Sequence, residues 1–404
     1  MSAGDTTWVL IAAALVMLMT PAVGLFYGGM VRKKNLLSTI IFSFAILALI
    51  SIQWILFGYS LAFGPSIKGI IGNLSWAGLR GVGPEIYPGY APTIPHTVFM
   101  VFQMMFAIIT PALITGAFVE RIKFSSFLIF SLLWATIVYD PIAHWVWGIG
   151  GWLRNLGALD FAGGTVVHIS AGFAALAFSM VIRKRQGFSS VNMEPNNIPF
   201  TIIGAALLWF GWFGFNAGSA LRADGIAANA FLVTNTAAAA SALTWMFINW
   251  FDRRPSALGM AIGAVVGLVA ITPASGYVSP TSAIIIGIVA ALVSTTCIRA
   301  RNHWRIDESL DVWACHGMGG AWGAIATGIF ASKTVNPAGA NGLLYGNWGQ
   351  LGIQILSVAV VIVFSFIVSF ALAKLVARIW GLSVSSAEEQ IGLDISQHGE
   401  EAYY

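Results

Sequence analysis

Charged side chains are scarce in this 404-residue chain: Asp, Glu, Lys and Arg together make up 9% of it, against about 25% in soluble domains. With 58% of the residues hydrophobic, there is too little polar material to coat a water-soluble globule, so lipid must be the main solvent. Cysteine is nearly missing. Cys297 and Cys315 are the only two, both at the ends of apolar segments, and a disulfide framework is not expected. The stretch Met1 to Trp8 has no positive run ahead of its apolar segment and reads as uncleaved. No HExxH or CxxC spacing occurs, which leaves the histidines short of metal ligands; no metal or other cofactor is expected.

What the chain does have is long apolar runs, with 16 Trp, 27 Phe and 44 Gly. Aromatic rings belt membrane interfaces, and glycines let membrane helices approach closely. A helix crossing about 30 Å of hydrocarbon needs about 20 apolar residues. Cutting the chain at charges and turn residues leaves eleven such spans, at 8–31, 36–63, 96–119, 124–147, 161–182, 198–219, 226–250, 257–273, 280–298, 312–331 and 349–377. The expected fold is an all-α integral membrane protein. Alternate loops then divide the 20 Lys and Arg fifteen to five. The rich side carries Arg32, Lys33, Lys34, Arg121, Lys123, Arg183, Lys184, Arg185, Arg253, Arg254, Arg299, Arg301, Arg305, Lys374 and Arg378. By the positive-inside rule that side is cytoplasmic, with the N-terminus outside and the C-terminus inside.

Two internal echoes suggest duplication. Ile109-Thr110-Pro111-Ala112 in the third span returns as Ile271-Thr272-Pro273-Ala274 in the eighth, and Asp160, His168 and Gly172 return at the same spacing as Glu308, His316 and Gly320. Halves of five helices must lie upside down relative to one another, which is inverted-repeat transporter architecture. The expected organisation is a first half at 1–182, an inverted second half at 198–331, an eleventh helix at 349–378 and a cytoplasmic tail at 379–404. Each Thr-Pro pair suggests a kink whose hydroxyl satisfies the carbonyl freed by the proline.

His168 and His316 carry most of the functional information, because polar side chains in apolar helices usually face a bundle interior or a cavity. Inverted symmetry would bring them face to face, one ring N–H donating to the other's bare nitrogen. Cys315 beside His316 does not complete a metal site, since helical neighbours point about 100° apart. Asp160 can cap the helix that follows it and can also draw cations toward a pore. Gly259, Gly263 and Gly267 repeat at a spacing suited to close helix packing.

Taken together, Asp160-Phe-Ala-Gly-Gly-Thr-Val-Val-His168, Gly211-Trp-Phe-Gly-Phe-Asn-Ala-Gly-Ser219, Phe102-Gln103, Glu120-Arg121, Pro141-Ile-Ala-His144 and Cys315-His316-Gly317 resemble the ammonium transporter (Amt/Mep/Rh) family over essentially the whole chain. The tail from Gly392 to Glu400, including Asp394 and His398, is similar to family tails. The resemblance implies a homotrimer in the plasma membrane that takes up ammonium and methylammonium, with no nucleic-acid partner. It implies an outer recruitment site at Phe106, Trp147, Ser219 and Asp160, a gate of Phe106 and Phe215, and a twin-histidine pore of His168 and His316. It also implies control by a PII-type (GlnK-like) signalling protein at the tail. Glu308 is a longer acid where some members have Asp, and Asp140-Pro141 occupies a place that varies.

The physics of an apolar pore adds a mechanism. Burying an unpaired ion costs tens of kcal/mol in low dielectric, far above what two neutral imidazoles offset. Ammonium is therefore expected to shed its proton, pass as ammonia and regain a proton inside, whereas potassium has none to shed. A gas channel and an electrogenic transporter both fit, and so does a sensor. Asn336-Pro337-Ala338 resembles one copy of a water-channel signature, but water channels need two.

Overall fold

A computed structural model describes residues 1–252 and 254–403; Arg253, counted above among the cytoplasmic charges, lies outside them. The chain is mostly helix. Its long helical segments are α1 (Ala3–Met30), α2 (Lys33–Phe63), α3 (His96–Ala117), α4 (Phe124–Val146), α5 (Gly164–Ser179), α6 (Ile198–Gly218), α7 (Gly225–Asp252), α8 (Ala257–Ile271), α9 (Pro280–His303), α10 (313–330) and α11 (Trp348–Ile379). Eight of them are long and apolar enough to cross a membrane, while α5 and α8 are shorter apolar helices. A two-stranded hairpin, Ser66–Ile67 with Ile71–Gly72, sits in the loop between α2 and α3.

Segment ends differ from the hydropathy reading where helix and lipid part company. The ninth apolar run was expected to stop at 298, yet α9 continues through Arg299 and Arg301 to His303. A helix does not end where its apolar run ends: Arg299 is exposed and pairs with Asp252, and Arg301 is buried against Asp311 and the Ile306 and Glu308 carbonyls. At α5 the reverse holds. Residues 161–163, expected to be helical, form a turn that lets the Asp160 side chain cap the helix.

Small residues set how closely the segments pack. Along α6, Gly204 faces the backbone of Phe26, Gly211 faces Met19 and Leu15, and Gly214 faces Leu15 and Ala12, so a Cβ at any of them would collide with α1. As numbers rise on α6 they fall on α1: the first helices of the two expected halves run antiparallel. Gly259, Gly263 and Gly267 of α8 meet Asn249, Trp245, Ser241 and Ala237 of α7 in the same way. Gly172 of α5 likewise lies on the backbone of Gly317 in α10.

One face of the bundle is tied by buried charge. Glu120 follows α3 and accepts from the Arg32 amide at 2.9 Å, Arg32 Nε at 2.8 Å and Asn35 Nδ2 at 3.1 Å. Its other oxygen meets Arg185 Nη1 at 2.8 Å, and Arg185 Nη2 reaches Asp307 Oδ1 at 2.6 Å. Burial opposes ionisation of Glu120, but the Arg185 and Arg32 guanidiniums outweigh it and hold its carboxyl below the usual range.

The tail packs on the same face. Asp394 accepts from the amides of Ser38 at 2.7 Å and Leu37 at 3.0 Å, filling orphan donors in the first turn of α2. Gly392, at φ 114°, presses on Lys34 where a Cβ would not fit. His398 sits edge-on to Phe124, their centroids 5.1 Å apart, and the Glu400 amide donates back to the Asp394 carbonyl.

Introducing leucine at Gly172 should overpack the α5–α10 crossing and cost about 1–3 kcal/mol or more. Thermal unfolding of the purified protein in detergent should show a clear drop in Tm. Gly225→Ala, where nothing lies within 4 Å of the added carbon, should leave Tm unchanged.

Candidate functional site

The site is built by two broken helix starts. Both α5 and α10 open in π-turns, Gly164–Ile169 and Trp313–Met318, with His168 in the first and His316 in the second. Such turns recur at functional sites. A helix start leaves four N–H groups without partners, and Asp160 takes four. Its Oδ1 accepts from Gly163 at 2.8 Å and Gly164 at 2.7 Å, and its Oδ2 from Thr165 at 2.8 Å and Val166 at 3.0 Å. Gly163 makes this possible by turning the chain at φ 114°. Glu308 does less at the related place. Its Oε1 accepts from the Trp313 amide at 2.6 Å, while Oε2 is buried without a partner.

Where the two starts cross, the imidazoles meet. The Nδ1 atoms of His168 and His316 lie 3.2 Å apart, with ring centroids 5.3 Å apart and planes at 27°. Only one of the two nitrogens can carry the shared proton, which makes the far atoms unlike: the donor ring has a bare Nε2 and the acceptor ring an Nε2–H. His168 Nε2 is buried without a partner. The His168 ring stacks on Trp212 at 5.5 Å and Phe215 at 6.0 Å. Phe215 in turn lies 4.3 Å from Phe106, whose edge meets Trp147 at 5.8 Å.

Three cavities follow this file of rings. The first, about 400 Å³, is lined by Trp147, Phe106, Asp160, Ser219, Gln103 and Tyr277 among others. Beyond Phe106, a space of about 10 Å³ is bounded by Phe215, Trp212, Val167 and both histidines, room for about one water-sized molecule. His316 also lines the third cavity, about 210 Å³, with Cys315, Asp311 and Tyr27. Phe106 and Phe215 are nearly fully buried and separate the first cavity from the second.

Each residue expected to recruit substrate has a distinct place here. Trp147 Nε1 donates to the Asp160 carbonyl at 2.9 Å, fixing the indole beside the cap. The Ser219 hydroxyl donates to the Phe215 carbonyl at 2.8 Å, so toward the cavity it offers only lone pairs. The Asp160 carboxylate is saturated by backbone donors, so it can reach a cation in the cavity through its field rather than by direct contact. The sequence reading noted Gln103 but gave it no role. Its Oε1 is buried without a partner and its side chain lines the first cavity, a second acceptor beside Ser219. The only signal available was an amide inside an apolar run.

The Thr-Pro reading needs correction. Thr110 Oγ1 donates to the Phe106 carbonyl at 2.6 Å and Thr272 Oγ1 to that of Leu268 at 2.8 Å. The carbonyls freed by Pro111 and Pro273 belong to Ala107 and Val269, one residue later. Each of these threonines bonds the fourth residue behind it, one residue past the freed carbonyl, which is the third. Val269 is served instead by the Thr272 amide at 3.2 Å.

Residues 7–403 match the family model described as Ammonium Transporter Family. The chain belongs to the ammonium transporter family. It is 52% identical to the "Ammonium transporter" of Bacillus subtilis, covering 100% of this chain and 99% of that one. Against "Ammonium transporter Amt1" of Archaeoglobus fulgidus it is 53% identical over the full length of both. Among solved structures it resembles Candida albicans Mep2, with a TM-score of 0.90 at 36% identity over 100% of this chain and 90% of that one. A structure titled "Sensor Amt Protein" gives 0.89 at 30% identity over 98% of each. The protein is thus a multi-pass membrane transporter for ammonium, not an enzyme.

Asp160→Ala would strand four buried N–H groups at about 1–3 kcal/mol each, and should abolish folding or sharply lower Tm. Asp160→Asn keeps an acceptor but turns an N–H₂ group toward some of those donors. It should fall between, as read by thermal unfolding and size-exclusion chromatography.

Proposed function

We propose that the transporter recruits ammonium in the cavity lined by Trp147, Phe106, Ser219 and Gln103, where it gives up its proton near Phe106 and Phe215 to water, that proton either returning outside or crossing by a separate route, and that ammonia passes along His168 and His316 and takes a proton from water inside. The observation that carries this reading is the contrast between the first two cavities. The first pairs aromatic faces with unsatisfied oxygen acceptors, which suits a cation with four N–H donors. An ion held over Trp147 or Phe106 would gain about 0.5–2 kcal/mol from the ring quadrupole. The second has room for one small molecule, apolar walls and no ring of carbonyls, so a bare ion would pay its full desolvation cost there. An ammonia molecule has both a lone pair and N–H donors, and the unlike Nε2 atoms of the histidine pair offer it a partner for each. Asp160 acts through its field and through the helix start that it holds; Glu308 is its counterpart in the other half.

In this reading all of α1 to α11 cross the plasma membrane as a five-plus-five inverted repeat and one further helix, with the N-terminus outside and the tail in the cytoplasm. The antiparallel α1–α6 packing and the matched π-turns of α5 and α10 support the repeat. Three copies would form a homotrimer, each with its own pore, and methylammonium would share the route. The tail, from Gly392 through Asp394 and His398 to Glu400, would be the element through which a PII-type signalling protein regulates uptake, because it touches the starts of both α2 and α4.

Replacing either histidine by Ala strands the partner's Nδ1, a loss of about 1–3 kcal/mol, or roughly 5- to 150-fold in passage rate where the whole loss falls on the barrier. Methylammonium uptake into proteoliposomes should fall accordingly in both variants. Wild-type uptake, or uptake confined to one variant, would count against a paired site. Current recorded in the same vesicles decides whether the proton crosses too. Deleting 388–404 should weaken binding of a PII-type regulator, read by co-purification; unchanged binding would remove the tail from the proposal.

A further inference from the structure

Away from the pore, a carboxylic acid lies inside the bundle with nothing in the transport reading to explain it. Asp140, in α4, is fully buried, and Gln53, facing it from α2, is 2% exposed. Gln53 Nε2 donates to Asp140 Oδ2 at 2.8 Å and lies 3.3 Å from Thr136 Oγ1. Neither residue lines the cavities described above. Both helices depart from regular winding at this level: a π-turn at Trp54–Gly58 begins directly after Gln53, and one at Ala135–Tyr139 ends directly before Asp140. Gly58 makes room for the amide, since a Cβ there would overlap the Gln53 side chain. Two helices have thus been rewound to bring an amide and a carboxyl together.

The hydrogen-bond accounting of the pair does not close for an ionised acid. Asp140 Oδ1 and Gln53 Oε1 are both buried without a partner. Both are acceptors, on two groups already joined by one N–H···O bond. Among the described residues no ion pair includes Asp140, and Tyr139, next along α4, has its own hydroxyl buried without a partner. An anion at this depth would rest on one amide donor, against a burial cost that a single such bond does not offset. A neutral acid reverses the account, because a protonated carboxyl supplies an O–H donor.

We infer that Asp140 binds a resident proton and that Asp140 and Gln53 form a two-bond acid–amide ring, N–H to Oδ2 on one side and Oδ1–H to Oε1 on the other. A single proton then satisfies both orphan acceptors. The ring is a neutral clasp between α2 and α4, and the proton stays in place during transport, since neither residue borders the path of the substrate.

Infrared spectra of the reconstituted full-length protein at neutral pH test this. The wild type should show a carboxylic-acid carbonyl band that is missing in Asp140→Asn and shifted in Gln53→Leu. Absence of any acid band in the difference spectrum, or loss of a carboxylate band instead, would overturn the inference. Asn at 140 rebuilds the ring as an amide pair, so Asp140→Asn should keep Tm and methylammonium uptake, whereas Gln53→Leu should lower Tm. A marked fall in uptake by a folded Asp140→Asn protein would refute a proton that stays in place.

Discussion

Lipid offers no hydrogen bonds, so every polar group placed within this bundle has to find its partner in the protein. The most instructive consequence is at the start of α5. Starting a helix inside the bundle exposes four N–H groups, and Asp160 takes all four with two oxygens. With the start secured, the π-turn can present His168, and Trp147 is anchored on the same cap. The carboxylate therefore holds the wall beside the two histidines. Any charge it lends to substrate recruitment acts across that saturated shell.

The same requirement explains why the histidines come as a pair. A single imidazole among Trp212, Phe215 and Val167 would have two nitrogens to satisfy. Facing another ring at 3.2 Å, each needs only one more partner. The remaining vacancy on His168 faces a space of about 10 Å³. That size limits what can sit there more strictly than the chemistry of the ring does, because a hydrated ion does not fit and a dehydrated one would have nowhere to put its charge.

Much of this was legible in the sequence because it rests on spacing. The interval from Asp160 to His168 and Gly172, repeated from Glu308 to His316 and Gly320, brought the two helix starts into correspondence before any coordinates. Runs of apolar residues marked the long helices for the same reason. What could not be read were features that need a partner from elsewhere in the chain. Gln103, Gln53 and Asp140 are single polar residues in apolar runs, and nothing local says whether each faces a cavity, a helix or another polar group. The π-turns add one residue whose purpose appears only when the facing helix is in place. The threonine hydroxyls were misassigned by one residue because the sequence marks the proline but not the reach of the side chain behind it. The end of α9 was missed because hydropathy marks only the apolar run, whereas the helix continues through arginines whose partners, Asp252 and Asp311, lie elsewhere in the chain.

The cap on α2 has a consequence for how the molecule is made. Leu37 and Ser38 stand near the beginning of the chain, and the carboxylate that completes their turn belongs to Asp394, near its end. During synthesis the second helix must therefore enter the membrane with its first turn unfinished, and it stays so until the ribosome has delivered Asp394, 356 residues after Ser38. A nascent product that stops short of Asp394 therefore differs from one that includes it at a single turn of helix.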